Sequence, residues 1–600
     1  LAESLAFQAH GSVRLFHIDK ADVSYTRGTV RPRVANDLYK SVLDDPPAIA
    51  WRHEPLEAFS QLLLPQAKAY ENWFEAAMKR NDPLAALGVV DRMHRARFYS
   101  KLPLGGRLLN LRWIMQGPEA ALSNSAMLQR RDLAGRFPRF MELDKQAKQL
   151  REQLKQQALL PEDSDQARAQ GKLLNKLAKI SAQADQELLK MVVRREPVEM
   201  VFPALREAKE VQEQLAPGQA VLVFYAASNE HHAFLLTQKK HGHWKIASPR
   251  NVKKRLTSLL KAMGNYDQGR EVSASLLADN TNWHEEGIEL LGEIQAGSGV
   301  DLGLEIDKLT IVPDGIYWYV PFEALPLDKG ADPDTLLTRS QVRYAPTLGL
   351  TVADGRARAQ SGDYAFVLGR LFPREDEEFS QRAFDTLRQV VPKAHAIRSQ
   401  LLAPSSTLAV LLNGLVVLDD IKSNMQSPLS VAPFQIDRGR PGSSIQQWLA
   451  LPWGSPDIIF LPGFHTPAEN SLKNMSTETR AGNELFITSM GLFATGSRTV
   501  VLSRWRMGGQ MSTNLIREFL QELPNTTAQE SWQRAVEIAQ ETAVDPTLEP
   551  RVSAADNSAI TGSHPFFWSG YLVIDWGPQG SEDAQQAEPP KLQFPKKKAG

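Results

Sequence analysis

Short apolar runs stopped by proline or glycine alternate along this chain with longer stretches whose apolar residues recur at helical spacing. Asp457-Ile-Ile-Phe-Leu-Pro is such a run, closed by Pro462 and Gly463, and it predicts a buried strand with His465 just past its end. Glu484 to Ala494 predicts a helix, with Leu485, Ile487, Leu492 and Phe493 apolar and Gly496 as its stop. Arg498 to Ser503 predicts a second buried strand that delivers Arg504, Trp505 and Arg506 to the same rim. Further strands are predicted at Ala220–Tyr225, pairing with Ala233–Thr237, at Ser340–Pro346, at Tyr364–Arg370 and in the aromatic run His564–Trp576. Asp314-Gly315, between two apolar alternating runs, predicts a hairpin turn. Phe379 to Leu402 reads as an amphipathic helix, and 405–450 as an elaborated insertion. Strands alternating with helices imply an α/β fold, a mostly parallel sheet with helices on both faces.

The first 213 residues have a different pattern. Leu56–Met78, with Trp73 and Phe74, and Leu84–Phe98, ending in Arg92, His94, Arg95 and Arg97, read as helices around an Asn81-Asp82-Pro83 turn. Paired helices suggest an α-solenoid, although the region is too short to fix a repeat period. Alternating stretches within 12–33 are expected not to be helical. From Glu142 to Arg195 the chain is rich in Lys, Gln, Ala and Leu, with a narrow seam of Leu143, Ala147, Leu150 and Leu154. It reads as a helical hairpin of coiled-coil type, turning at Leu160-Pro-Glu-Asp-Ser-Asp, with a solvated charged face.

Composition narrows the chemistry. Lys+Arg and Asp+Glu balance at 69 each, so no global charge points to nucleic acid or a membrane surface. No apolar run reaches the roughly 18 residues that span a bilayer. The chain contains no cysteine, which removes disulfides, thiolate metal sites and thiol nucleophiles together. His231, His232, His241 and His243 cluster around one hairpin. They read as strand-end and turn residues, because no acidic residue completes a recognisable ligand spacing. The chain opens on Leu1 rather than Met, so a fragment or processed form is expected. The Gln-, Pro- and Lys-rich tail after Gly577 is expected to be disordered.

LTIVPDGIYWYVPFEALPL, SQVRYAPTLGL, LPGFHTPAEN, GSRTVVLSRWRMGG and HPFFWSGYLVIDWG occur in the order seen in CHAT domains, and the chain from about Gln214 to Gly577 resembles that family. The resemblance implies a caspase- or separase-like peptidase fold, preceded by tetratricopeptide-like helices over 1–140 and a coiled-coil hairpin over 141–213, with a tail over 578–600. Active members use a His/Cys dyad at neighbouring strand ends. His465 matches the family's histidine, while the cysteine is missing and the segment from His465 to Gly482 is short for an extra strand. Nearby hydroxyls are Thr466, Ser471, Ser476, Thr477, Thr479, Thr488 and Ser489, none in a Gly-x-Ser-x-Gly elbow.

Three functions are therefore open. One is a peptidase-like protein without its nucleophile that binds a protein partner through its helices, hairpin or cleft. Another is a hydrolase using a hydroxyl such as Ser489 with His465 as base. The third is an anion-binding module at Arg504, Arg506 and Gly508-Gly509, unless these arginines pair with acids such as Glu484 or Glu518. No metal, cofactor, nucleic-acid partner or membrane partner is expected. The expected location is cytoplasmic.

Overall fold

The structure is a computed structural model. It describes residues 2–577 except 64–65, 162, 268, 280, 303–305, 331–332, 355, 357–361, 372–376, 392, 451–453, 455, 467–470, 473–479 and 554–557. The expected C-terminal tail thus lies outside the described residues, as do Ser476, Thr477 and Thr479. The chain forms two compact units, one of residues 1–213, 347–356 and 449–453 and one of the remainder. No helix among the described residues is long and apolar enough to cross a membrane.

The first unit is helical. Asp82 caps the helix Pro83–Tyr99 by accepting from the Ala85 amide, and Pro83 occupies the first turn, where its missing N–H costs nothing. The expected Leu56–Met78 helix is two helices, Pro55–Leu63 and Ala67–Lys79, with Pro65 in the sequence between them. The stretch expected to be non-helical belongs to the long helix Ala2–Thr26, followed after a turn by Pro32–Leu43. Ile18, Ala21 and Tyr25 are buried three and four residues apart, a spacing only a helix places on one face. Helices Pro138–Lys155 and Ser164–Val193 pack on each other, burying Leu143, Ala147, Leu150 and Leu154.

Asp91, inside the helix Pro83–Tyr99, accepts the Leu348 amide at 2.8 Å from the returning segment of the same unit. Burial pushes its carboxyl up to about 7, against the pull of the Leu348 and Gly349 amides. Between the ordinary aspartate range and pH 7, the folded chain therefore holds a proton that the unfolded chain releases. Its stability falls as pH rises through that window and levels off above it. Asp91→Asn keeps an acceptor for Leu348 but cannot ionise. Urea melts at pH 5 and pH 8 are expected to show the parent losing up to a few kcal/mol more than the variant between the two. Equal losses would refute the assignment.

The second unit is built on one sheet. Its strands in chain order are β1 (Gln219–Ala226), β2 (His231–Thr237), β3 (His241–Lys245), β4 (Lys308–Val312), β5 (Gln341–Tyr344), β6 (Tyr364–Leu368), β7 (Ala394–Ile397), β8 (Gly414–Leu418), β9 (Ile458–Phe460), β10 (Thr499–Ser503) and β11 (Tyr571–Asp575). In space they run β3-β2-β1-β4-β5-β11-β10-β9-β8-β6-β7. Pairing is antiparallel at β1–β2, β2–β3 and β10–β11, and parallel elsewhere. Helices pack against the sheet: Glu377–Arg388 on β6, Asn483–Ala494 on β10, and Ala528–Glu541 on β5 and β11. Every residue of β8, β9, β10 and β11 is buried. Covering both faces is what lets these strands be continuous apolar runs rather than alternating ones. Each buried Val, Leu or Ile contributes about 1.5–3 kcal/mol.

Three expectations need correction here. Asp314-Gly315 does not turn a hairpin, because the residues after it form 3₁₀ turns, Gly315–Tyr319 and Phe322–Ala324. The Asp314 carboxylate instead accepts the Ala226 amide at the end of β1, and Tyr317 stacks on Phe224 at 4.2 Å. Aromatic packing on the sheet wins over the local turn signal. Helix Glu377–Arg388 stops well before Leu402, and β7 follows Pro392. The stretch 405–450 is no mere insertion, since it supplies β8, an inner strand held between β6 and β9.

Candidate functional site

Three neighbouring parallel strands end at one rim. β8 runs into Asp419-Asp420, β9 into Leu461-Pro462-Gly463, and β10 into Arg504-Trp505-Arg506. Past Gly463, Phe464-His465 forms a short parallel ladder with Ile421-Lys422, and the Ser423 amide donates to the His465 carbonyl at 2.9 Å. Glycine is required at 463, because a Cβ there would lie 1.9 Å from the Asp419 carbonyl oxygen. That close approach puts the two strand ends side by side.

His465 is 6% exposed, and its Nε2 lies 2.8 Å from Asp420 Oδ1. The other Asp420 oxygen accepts from Arg506 Nη2 at 2.7 Å. Burial alone would raise the Asp420 carboxyl, but the contacts and charges of His465 and Arg506 outweigh it and hold the group below the usual carboxylate value. Asp420 is thus an anion shared by an imidazole and a guanidinium. Beside this row, Ser423 Oγ and Thr466 Oγ1 are 2.9 Å apart.

A second polar cluster lies under the rim. Glu484, in the first turn of the helix Asn483–Ala494, is fully buried and accepts from Tyr319, whose hydroxyl is 2.9 Å from Ser471 Oγ. Burial raises the Glu484 carboxyl despite the donors Tyr319, Thr466 and Ser471. Gly482 (φ +76°) starts this helix in a left-handed conformation, and a Cβ there would meet Trp318.

The other expected site residues are placed differently. Ser489 is fully buried within the helix, and its hydroxyl donates to the Phe486 carbonyl at 2.8 Å. It is turned back on its own helix and is not presented at the rim. Arg504 is fully buried and committed to the protein. It pairs with Glu323 at 2.6 Å and donates to the carbonyls of Trp318, Ser569 and Tyr571. Its last donor reaches the Tyr344 hydroxyl. An anion site on Arg504 is therefore filled from within. The acids that engage Arg504 and Arg506 are Glu323 and Asp420, not Glu484 or Glu518.

Sequence reading missed Asp420, although Leu415-Val-Val-Leu-Asp-Asp has the same form as the run before His465. It fell inside the stretch taken for an insertion. The histidines at the far edge pair up: His232 Nδ1 and His243 Nε2 are 3.1 Å apart, and burial pushes both down to about 4.

Residues 289–432 match the CHAT domain family model. Over those residues the chain is similar to the CHAT domain family. The matched residues include β4 to β8 and Asp420, and stop short of His465. Two crystal structures of the Saccharomyces cerevisiae separase–securin complex are similar to the chain, at 9% and 8% identity with TM-scores of 0.35 and 0.36. Each match covers 94% of this chain and 50% of the other, so the chain spans half the length of those chains. No curated protein matches it.

Proposed function

We propose that this chain is peptidase-like in fold, lacks a working nucleophile, and acts by binding a protein partner at its strand-end rim or through its helices. What carries the reading is the company of His465. A catalytic imidazole needs a nucleophile within hydrogen-bond reach, and the chain has no thiol to supply. The nearest strand ends bring a carboxylate and a guanidinium, Asp420 and Arg506, already joined to each other.

One observation favours a second reading. The Asp420–His465 contact is the carboxylate–imidazole half of a hydroxyl-nucleophile triad, in which the acid orients the base. One experiment separates the two. The purified chain, parent and His465→Ala, is incubated with a serine-reactive fluorophosphonate probe and a mixed peptide library. The proposal expects no labelling and background hydrolysis in both, with partner capture from a lysate unchanged by the substitution. Labelling of the parent, with hydrolysis falling about a hundredfold or more in His465→Ala, would instead establish a hydrolase.

A further inference from the structure

A small cavity of about 20 Å³ opens where β10 leads into the helix Gly509–Glu522. Arg506, Gly508, Glu549, Arg551 and Phe566 are among its lining residues. Such a space admits a group the size of one or two waters, such as the head of a carboxylate.

Arg551 is the residue that needs explaining. It is 8% exposed and makes no ion pair among the described residues. Its guanidinium donates only to neutral acceptors, the Gly264 carbonyl at 2.6 Å and Asn265 Oδ1 at 3.3 Å, with the Asp267 carbonyl more distant. Its Nε–H is buried without an acceptor. Phe566 lies against the guanidinium at 5.0 Å. A buried cation without a counter-charge is costly, and a hydrogen-bonded anion is what relieves that cost.

The other charges around the cavity leave this one unmatched. Arg506 has Asp420 as its partner. Glu549 turns Oε1 onto the Met511 amide at 2.8 Å, serving the helix N-terminus. Desolvation pushes Arg551 down to about 10, with Arg506 pushing the same way and Asp267 opposing.

The geometry points to a carboxylate-recognition pocket, in which Arg551 and Arg506 take the side chain of an Asp or Glu in a bound peptide. The inference rests on the protein-binding reading of the rim, to which Arg506 is tied through Asp420 and His465. It names the partner's chemistry: an acidic peptide segment.

The test titrates the full chain with acetyl-Ala-Asp-Ala-amide and acetyl-Ala-Glu-Ala-amide, their Asn and Gln counterparts, acetate and inorganic phosphate, read by NMR shifts. An acidic peptide is expected to saturate and to bind about tenfold or more tighter than its amide counterpart. The affinity should weaken with salt. Arg551→Gln should abolish that preference. Should Arg551→Gln fail to fold, Gly508→Asp serves instead: residue 508 has extended backbone (φ 172°), and the new carboxylate would block the pocket while capping the helix. Equal binding of acidic and amide peptides, binding of phosphate but not peptide, or an undiminished preference in a folded variant would each overturn the pocket. Cleavage of a bound peptide would overturn the proposed function and leave the pocket standing.

Discussion

Glu323→Ala is expected to destabilise the second unit by about 3–5 kcal/mol, the usual cost of stripping one partner from a buried ion pair. Glu323 is 2% exposed and Arg504 is fully buried. Both Glu323 oxygens face the guanidinium, at 2.6 and 3.2 Å, and Tyr344 donates to the same carboxylate. Removing the acid leaves a cation whose remaining acceptors are three carbonyls and a hydroxyl, too little to replace a full counter-charge in a buried site. The effect should extend beyond the pair, because Arg504 ties the 3₁₀ turn at Trp318 to the entry of β11 at Ser569 and Tyr571. Urea denaturation measures it. The double variant Glu323→Leu/Arg504→Met, which removes both charges, should recover much of the loss. A single-variant loss below about 1 kcal/mol would show that the pair contributes far less than its burial implies.

The double substitution Leu150→Ala/Leu154→Ala is expected to cost at least about 4 kcal/mol in the first unit. Each leucine is buried, at 5% and 2% exposure. Deleting a buried leucine side chain typically costs about 2–5 kcal/mol. The two sit one helical turn apart and open one shared cavity, so their effects should not simply add. Leu128 is 64% exposed, and Leu128→Ala is the control, expected within about 0.5 kcal/mol of the parent. Melting followed by circular dichroism decides it. Indistinguishable curves for the double variant and the control would mean that the seam does not hold these helices together.

The sequence by itself determined the α/β class and most of the sheet. Gln219–Ala226, Ile458–Phe460, Thr499–Ser503 and Tyr571–Asp575 are strands because runs of apolar, mostly β-branched or aromatic residues bounded by glycine or proline have few other ways to bury themselves. It also determined the chemistry that is absent, since a chain without cysteine cannot present a thiolate. Tertiary structure alone decided the rest. Asp314-Gly315 carries a strong local turn signal, yet the ring of Tyr317 on Phe224 and the Asp314 bond to Ala226 outweigh it. Asp420 meets His465, 45 residues later in sequence, only because β8 lies beside β9 and the pairing resumes beyond them as Ile421-Lys422 against Phe464-His465. Arg504 and Arg506 look alike as a sequence pair. Two residues apart, they would share a face on a regular strand, but the strand ends at Ser503 and the chain bends at Arg504-Trp505, so Arg504 is buried against Glu323 while Arg506 meets Asp420. Which acid meets which base is a long-range property, set by strand order and by which face is buried, and no local pattern encodes it.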